Sequence, residues 1–582
     1  MNFKLRLLAL LLLVMMVFTS CSLESIMQYI PFLGGDVEES TTTTTTTTKP
    51  TTTKPTTVKP PVEDVPEFDV SKNQTSKSEL EASYTLTQEE VDAVLANLDK
   101  MVELSLTAET SDEVDALYEE FETAYYHIAQ QMTISMILYY YDMLDETAKE
   151  RYLNTTDMFY SIEDKYNLAL KDMYQKSPIA DQIFEGWTEE ELKSLEEYDP
   201  AVTQLQKEID ALQVEYDQLS QSDANYNSRC IEIYKQLIVK NNALARLNGY
   251  DNYYDYAAAN VYERDYEREE LALFRQYLVE YVVPAYNDVH NYSMSYESWT
   301  SKTKKARVDE FLKEPFYANP KRNYLVQYLD SLEGTMGDSM RHVFENKNCI
   351  FSYSTNSHPT AFKTFLYEDK VPFCFFGSDG QSASTVVHEI GHYYAGLVNN
   401  DLDNFDLCET HSQGNEYLFL TYCKDLLTED VYSVVRANGL ADALRIMIIA
   451  TVIDEFEQNV YLLDDATVNA MTSEDFDAIM EKVCEQYGGD DWVKMVTNPY
   501  AYWRLVCISN PVYYISYAVS ATAAINILAL AEEDYDAALV AYTTLAEGVT
   551  PEDGFLGALT KAGLTTPFDE ETFIKIAEVL NK

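Results

Sequence analysis

The chain has 582 residues, with 97 Asp or Glu against 42 Lys or Arg, and a formal charge of −55. Its 46 % hydrophobic and 13 % aromatic content supplies enough apolar surface to offset chain entropy, which excludes a largely disordered protein. The sign and size of the charge exclude nucleic acid as a partner, because phosphate binding needs clustered Lys and Arg. At ~100–200 residues per domain, the length predicts roughly two to four structural units.

Residues 1–20 read as a signal peptide. Lys4 and Arg6 are followed by an apolar run over 7–18, too short to span a bilayer comfortably but suited to a signal core. The run ends in Phe18-Thr19-Ser20-Cys21, which resembles the lipobox of bacterial lipoproteins, although Phe18 stands where an aliphatic residue is commoner. On that reading Cys21 becomes the lipidated first residue, and the body is held at the outer face of the cytoplasmic membrane through its acyl chains alone. Such an acidic surface would be repelled by anionic lipid. An ordinary secretory signal with an incidental cysteine is the alternative. Eight threonines over 41–48 and the following Lys-Pro repeats favour extended backbone, so 21–65 is expected to be a stalk. Without Cys21 seven cysteines remain, with no CxxC spacing, and they are expected to be free buried thiols.

The globular part, from about residue 75, reads as helix nearly everywhere. Val91, Val94, Leu98 and Val102 recur at helical spacing within 87–174, and Leu205, Ile209, Leu212, Tyr216 and Leu219 repeat it within 201–247, like one arm of a helical hairpin. Further helices are predicted over 267–291 and through 414–535. An N-terminal helical lobe over 75–300 and a second lobe over 301–582 are the expected division. One stretch breaks the pattern: 360–367 and 371–376 are aromatic and β-leaning, joined by Glu368-Asp369-Lys370, which predicts a hairpin. An exposed strand edge there could hydrogen-bond an extended peptide whatever its sequence, with Ala361 and Phe362 at its start.

Just beyond lies His388-Glu389-Ile390-Gly391-His392. On a helix the two histidines are i and i+4, so both rings leave one face and can share a Zn²⁺. Glu389 can then take a proton from zinc-bound water, whose pKa falls towards about 7. Gly391 leaves room for a close neighbour. A third ligand is needed, and Glu409 and Glu416 are both candidates: they are seven apart and share a face, and Glu409 lies 17 residues after His392. Spacing alone does not choose between them. Glu416 could equally hydrogen-bond a ligand histidine and orient its ring. His411 falls off that face and is expected to be partly exposed or to support a ligand.

These residues together resemble the oligoendopeptidase F and thimet oligopeptidase family of zinc metallopeptidases, which pairs HExGH with a downstream E-x-x-S-x-x-x-E block. The resemblance makes Glu409 the third ligand. Asn241 to Tyr253 is similar to a family segment on the wall of the substrate channel, and Asn510-Pro511-Val512-Tyr513-Tyr514-Ile515-Ser516-Tyr517-Ala518 to a block whose tyrosines face the metal. Tyr513 and Tyr517, i and i+4, would present two phenols on one helix face as donors to an oxyanion. The sequence departs from the family in having no histidine after His411, in Ser382 standing where an acidic residue is usual, and in a shortened span between His392 and Glu409.

The resemblance implies a mostly helical, two-lobed metallopeptidase with a deep channel and a small β-hairpin beside the zinc helix. It implies one Zn²⁺ per chain, short unfolded peptides as substrates, and a monomer. A related metallocarboxypeptidase and a catalytically weak, peptide-capturing lipoprotein are the alternative readings.

Overall fold

The computed structural model describes residues 68–581 apart from 189–191, 193–194, 196–199, 218, 220–223, 319–322, 400–403 and 490–501. The apolar run over 7–18, Cys21 and the stalk lie outside the described residues.

The chain is mostly helical. Three helices, α1 (Gln88–Ser105), α2 (Asp112–Tyr141) and α3 (Glu146–Lys176), follow one another. Thr87 and Glu90 form a capping box at the start of α1, and Asp145 accepts two backbone N–H groups at the start of α3, satisfying donors that a helix leaves orphaned. The apolar spacing read from the sequence closes over a core that includes Val91, Val94, Leu98, Phe159 and Tyr166. Phe121 and Tyr166 stack at 4.9 Å within it.

The segment 201–247 proves to be both arms of a helical hairpin rather than one. Helices α4 (Pro200–Asp217) and α5 (Tyr226–Leu247) pack together and are tied by a two-pronged bond from Arg229 to Glu215 at 2.5 and 2.7 Å. The helical run predicted over 267–291 does form, but it passes through a π-turn at Leu278–Val282. Pro284, which has no N–H to donate, follows in the next turn. Another helix, α6 (Lys302–Leu312), leads towards the sheet.

That sheet has three strands, β1 (Cys349–Phe351), β2 (Ala361–Leu366) and β3 (Val371–Phe376), in the order β1-β3-β2. β2 and β3 form the predicted antiparallel hairpin, with Ala361 opposite Phe376, and β1 adds in parallel to β3. The alternation of side chains gives the sheet two buried faces. Ile350, Phe362, Phe373 and Phe375 pack with Ile134, Ile137 and Leu138 of α2. Cys349, Phe351, Cys374 and Phe376 belong instead to the main core.

That core is built around α7 (Ala383–Val398), α8 (Phe405–Cys423), α9 (Glu429–Tyr461), α10 (Ile515–Glu533) and α11 (Tyr535–Glu547). Helix α10 is long and apolar enough to cross a membrane, yet most of it is buried inside the protein. A helix apolar on every side is the mark of a core element, and its Ala and Ser residues let α8 and α9 pack close. None of the seven cysteines among the described residues forms a disulfide, and six of them are buried.

Candidate metal centre

Helix α7 carries the HEIGH sequence and starts cleanly because Ser382 caps it, accepting from Thr385 N at 3.2 Å. The serine that replaces an expected acidic residue is thus the helix cap. One turn further in, His388, Glu389 and His392 are all buried. Helix α8 runs alongside at very short range, and Gly391 is what allows it: a Cβ there would stand 2.7 Å from the carbonyl oxygen of His411 and 2.8 Å from Ser412 Cα.

The close pairing brings Glu409 to the two imidazoles. Its Oε2 lies 3.5 Å from His388 Nε2 and 3.8 Å from His392 Nε2, and the three groups can offer one ligand atom each within 4.8 Å of one another. Ligands about 2.0–2.1 Å from a tetrahedral zinc are separated by about 3.3 Å, so this trio has nearly the required spread. Both Nε2 atoms are buried without a hydrogen-bond partner, as are both oxygens of Glu389. Buried polar atoms without partners are costly, and a divalent cation would satisfy these nitrogens. The donor set therefore fits zinc.

Glu416 sits on the other side of His388, with Oε1 2.7 Å from Nδ1, while its Oε2 accepts from Ser384 at 2.8 Å. That contact fixes the ring so that Nε2 faces the site. Ser412 donates to Glu409 Oε2 at 3.1 Å and Tyr513 to Glu409 Oε1 at 3.3 Å. Replacing Glu416 by alanine is expected to weaken zinc affinity by about 10–100-fold, measurable by competition with a chromogenic chelator. Unchanged affinity would remove Glu416 from this role.

The electrostatics follow from burial. It pushes the carboxyl of Glu389 up to about 8 and that of Glu409 up to about 7, each against the pull of His388. Burial also opposes a charge on His388, but its hydrogen bond to Glu416 and the charges of Glu416, Glu389 and Glu409 outweigh this and raise it to about 10. His392, desolvated and next to His388, is held well below the usual range. His411 is not partly exposed but buried, bonded through Nε2 to Leu545 O at 3.1 Å, and burial lowers it to about 4.

The tyrosine block differs from its sequence reading. Tyr513 precedes α10 rather than lying within it, since α10 starts at Ile515, and its phenol is engaged with Glu409. Its ring and that of Tyr517 remain neighbours, 5.1 Å apart. The cause is Val512, whose φ of 65° puts a β-branched residue in the left-handed region, an uncommon and strained conformation. Three groups hold it there: Glu457 accepts from Val512 N at 3.0 Å, Arg264 donates to Val512 O at 2.7 Å, and the Tyr262 hydroxyl donates to Pro511 O at 2.7 Å. None of these three was legible as a site residue, because nothing local links them to a block some 55 to 250 positions further on.

The strand edge is narrower than expected. Gly377 N donates to Thr360 O at 3.0 Å, so by alternation along the 361↔376 register the backbone groups of Phe362 turn towards β3, and those of Ala361, Lys363 and Phe365 turn outward. Phe362 also buries its ring, 5.0 Å from Phe375, and Gly380 closes over Ala361 so tightly that a Cβ there would lie 2.8 Å from Ala361 N. The reachable edge is thus at Lys363 and Phe365. Asn241 and Asn242, whose segment was expected on a channel wall, are buried and brace α5 against Tyr461 at 3.1 Å each.

No protein-family model matches the sequence, and no curated protein matches it. Solved structures do. A structure described as oligoendopeptidase F superposes with a TM-score of 0.64 at 17% identity, over 86% of this chain and 97% of that one. PZ peptidase A with an inhibitor gives 0.61 at 18%, over 88% and 99%, and oligoendopeptidase F from Enterococcus faecium 0.50 at 14%, over 85% and 98%. With its helical body, small mixed sheet and buried His-His-Glu group, this chain has the fold of the oligoendopeptidase F and PZ peptidase structures.

Proposed function

We propose that the protein is a zinc-dependent metalloendopeptidase that hydrolyses short, unfolded oligopeptides. The observation that carries this reading is the buried trio His388, His392 and Glu409, whose ring nitrogens lack partners, with the unpartnered carboxylate of Glu389 on the same helix. The fold shared with peptidase structures supports it.

When bound by His388, His392 and Glu409, zinc supplies Lewis acidity to the scissile carbonyl and to the attacking water. Glu389 takes the proton from that water as its oxygen bonds to the carbonyl carbon. It then gives the proton to the nitrogen as the C–N bond breaks. In the metal-free chain burial raises this carboxyl towards about 8; a dication held beside it would draw it down, so that it is ionised and able to accept the proton near neutral pH. Tyr517 donates to the oxyanion, and Tyr513 steadies Glu409. The outward backbone of Lys363 and Phe365 pairs with the extended peptide. In this proposal Cys21 anchors the protein, as a monomer, to the outer face of a bacterial cytoplasmic membrane.

The test is chelation and restoration with product analysis. Hydrolysis of short peptides should be abolished by chelator, recovered with one zinc per chain, and yield internal fragments by mass spectrometry. Stepwise loss of single C-terminal residues would establish the carboxypeptidase reading instead. One bound zinc without any cleavage would leave a peptide-capturing protein.

A further inference from the structure

Four non-glycine residues among those described take a positive φ: Glu263, Lys347, Lys370 and Val512. Lys347 and Lys370 are exposed, and Lys370 turns the hairpin between β2 and β3. The other two belong together. Glu263, at 47°, stands between Tyr262 and Arg264, the residues that grip the carbonyls around Val512, at 65°. A π-turn over Ala257–Val261 leads into Glu263, with Tyr262 N donating to Ala257 O and Arg264 N to Ala258 O, both at 2.9 Å. One irregular segment thus holds another. Such backbone is costly and persists only where its surroundings over-determine it, which happens most often at functional sites.

The grip is made from three directions. Both oxygens of Glu457, a fully buried residue of α9, accept from Val512 N at 3.0 Å. The Tyr262 hydroxyl donates to Pro511 O at 2.7 Å. One nitrogen of Arg264 reaches Val512 O at 2.7 Å, Tyr513 O at 3.4 Å and Ser516 Oγ at 3.3 Å, the last already in the first turn of α10. None of these anchors belongs to the ligand trio. With Val512 in the right-handed region, α10 would continue back through Tyr513 and carry its phenol away from Glu409 Oε1, now 3.3 Å off. Tyr517, whose ring lies 5.1 Å from that of Tyr513, shares a cavity wall with His388 and Glu416. Its aim depends on the same turn.

We infer that Glu457, Tyr262 and Arg264 are positioning residues for the reaction: by holding Val512 left-handed they fix where the phenol of Tyr517 points. The inference rests on the reading of Tyr517 as the oxyanion donor. A misplacement of about 1 Å at a reacting group costs up to about 10²-fold in rate, so anchors that hold no metal still bear on the chemistry.

The test measures kcat, KM and bound zinc on one short peptide for the full-length wild type, Tyr262→Phe, Glu457→Leu and Tyr517→Phe. Tyr517→Phe should lower kcat by about 10²–10³-fold. Tyr262→Phe, which loses one hydroxyl and keeps its ring, should lower kcat by about 10-fold with KM and zinc content unchanged. Two double variants separate positioning from general support. Adding Val512→Gly to Tyr262→Phe should return about 5-fold of the rate, because glycine turns left-handed without the Cβ penalty. Adding Tyr262→Phe to Tyr517→Phe should cost nothing further, since aim is irrelevant once the donor is gone. Glu457→Leu should behave like Tyr262→Phe, and if it does not fold the milder tyrosine variant decides. A wild-type rate in Tyr262→Phe, no gain from glycine, or losses that multiply in the double variant would overturn the inference while the peptidase reading stands. A wild-type rate in Tyr517→Phe would remove the donor and the inference together. No cleavage by the wild type would overturn the peptidase reading as well.

Discussion

Glu389→Gln should lower kcat by about 10²–10⁴-fold, the range for loss of a general base, and leave one zinc bound per chain. The side chain is fully buried and neither oxygen has a partner, so the amide fills the same space without reaching a ligand position. It cannot accept the proton of the attacking water. The same substitution has a separable signature in chelator-treated protein. Burial raises the carboxyl of Glu389 towards about 8, so between the ordinary carboxyl pKa of about 4.3 and about 8 the folded chain holds a proton that the unfolded chain has released. Stability from this group therefore falls as pH rises through that window. The amide does not titrate, and the melting temperature of the variant should exceed that of the wild type by a margin that widens from pH 5 to pH 8. A wild-type rate in the variant would remove Glu389 from the chemistry. A constant margin would show that this carboxyl is not raised in the folded chain.

Gly391→Ala should be the more damaging change to the site, although it adds one methyl group. The new Cβ would meet the His411 carbonyl oxygen at 2.7 Å and Ser412 Cα at 2.8 Å, and both are backbone atoms that cannot rotate away. Helices α7 and α8 must part, and with them the histidines and Glu409, whose oxygen now lies 3.5 and 3.8 Å from their nitrogens. Overpacking of this kind costs about 1–3 kcal/mol. Because zinc is held only by ligands about 2.0–2.2 Å away, the loss should appear as sub-stoichiometric metal together with a lowered melting temperature. A variant that melts lower but retains full zinc would show that the two helices separate without opening the ligand trio.

The parts of the fold that were legible in the sequence are those set by local pattern. Helical spacing at Val91, Val94 and Leu98 marked a buried face, and the aromatic runs on either side of Glu368-Asp369-Lys370 marked β2 and β3. Strand β1 was not foreseen, because three residues give no period to read and its partner lies 25 positions away. At the site, His388, Glu389 and His392 follow from i, i+4 geometry, but spacing left Glu409 and Glu416 as equals. What separates them is which nitrogen of His388 each one faces, a tertiary fact. The placement of Tyr513 outside α10 was illegible for a related reason: valine gives no local sign of a left-handed turn. That conformation is imposed by Glu457 and Arg264 from elsewhere in the chain. His411 read as polar and peripheral, yet the same close approach that needs Gly391 buries it.

The sheet's two faces belong to different cores, with Phe362, Phe373 and Phe375 against α2 and Cys374 and Phe376 against the main core. The platform proposed for peptide binding is thus a shared partition, supported from behind by helices that have no part in holding metal. Partial unfolding that frees α2 would strip one side of the partition and leave α7 and α8 paired. Such sub-global openings are common in proteins with separable cores. In mild denaturant the protein should therefore lose its grip on peptides before it loses zinc, with KM rising while metal content stays constant. Simultaneous loss of both would mean that the partition and the helix pair melt as one cooperative unit.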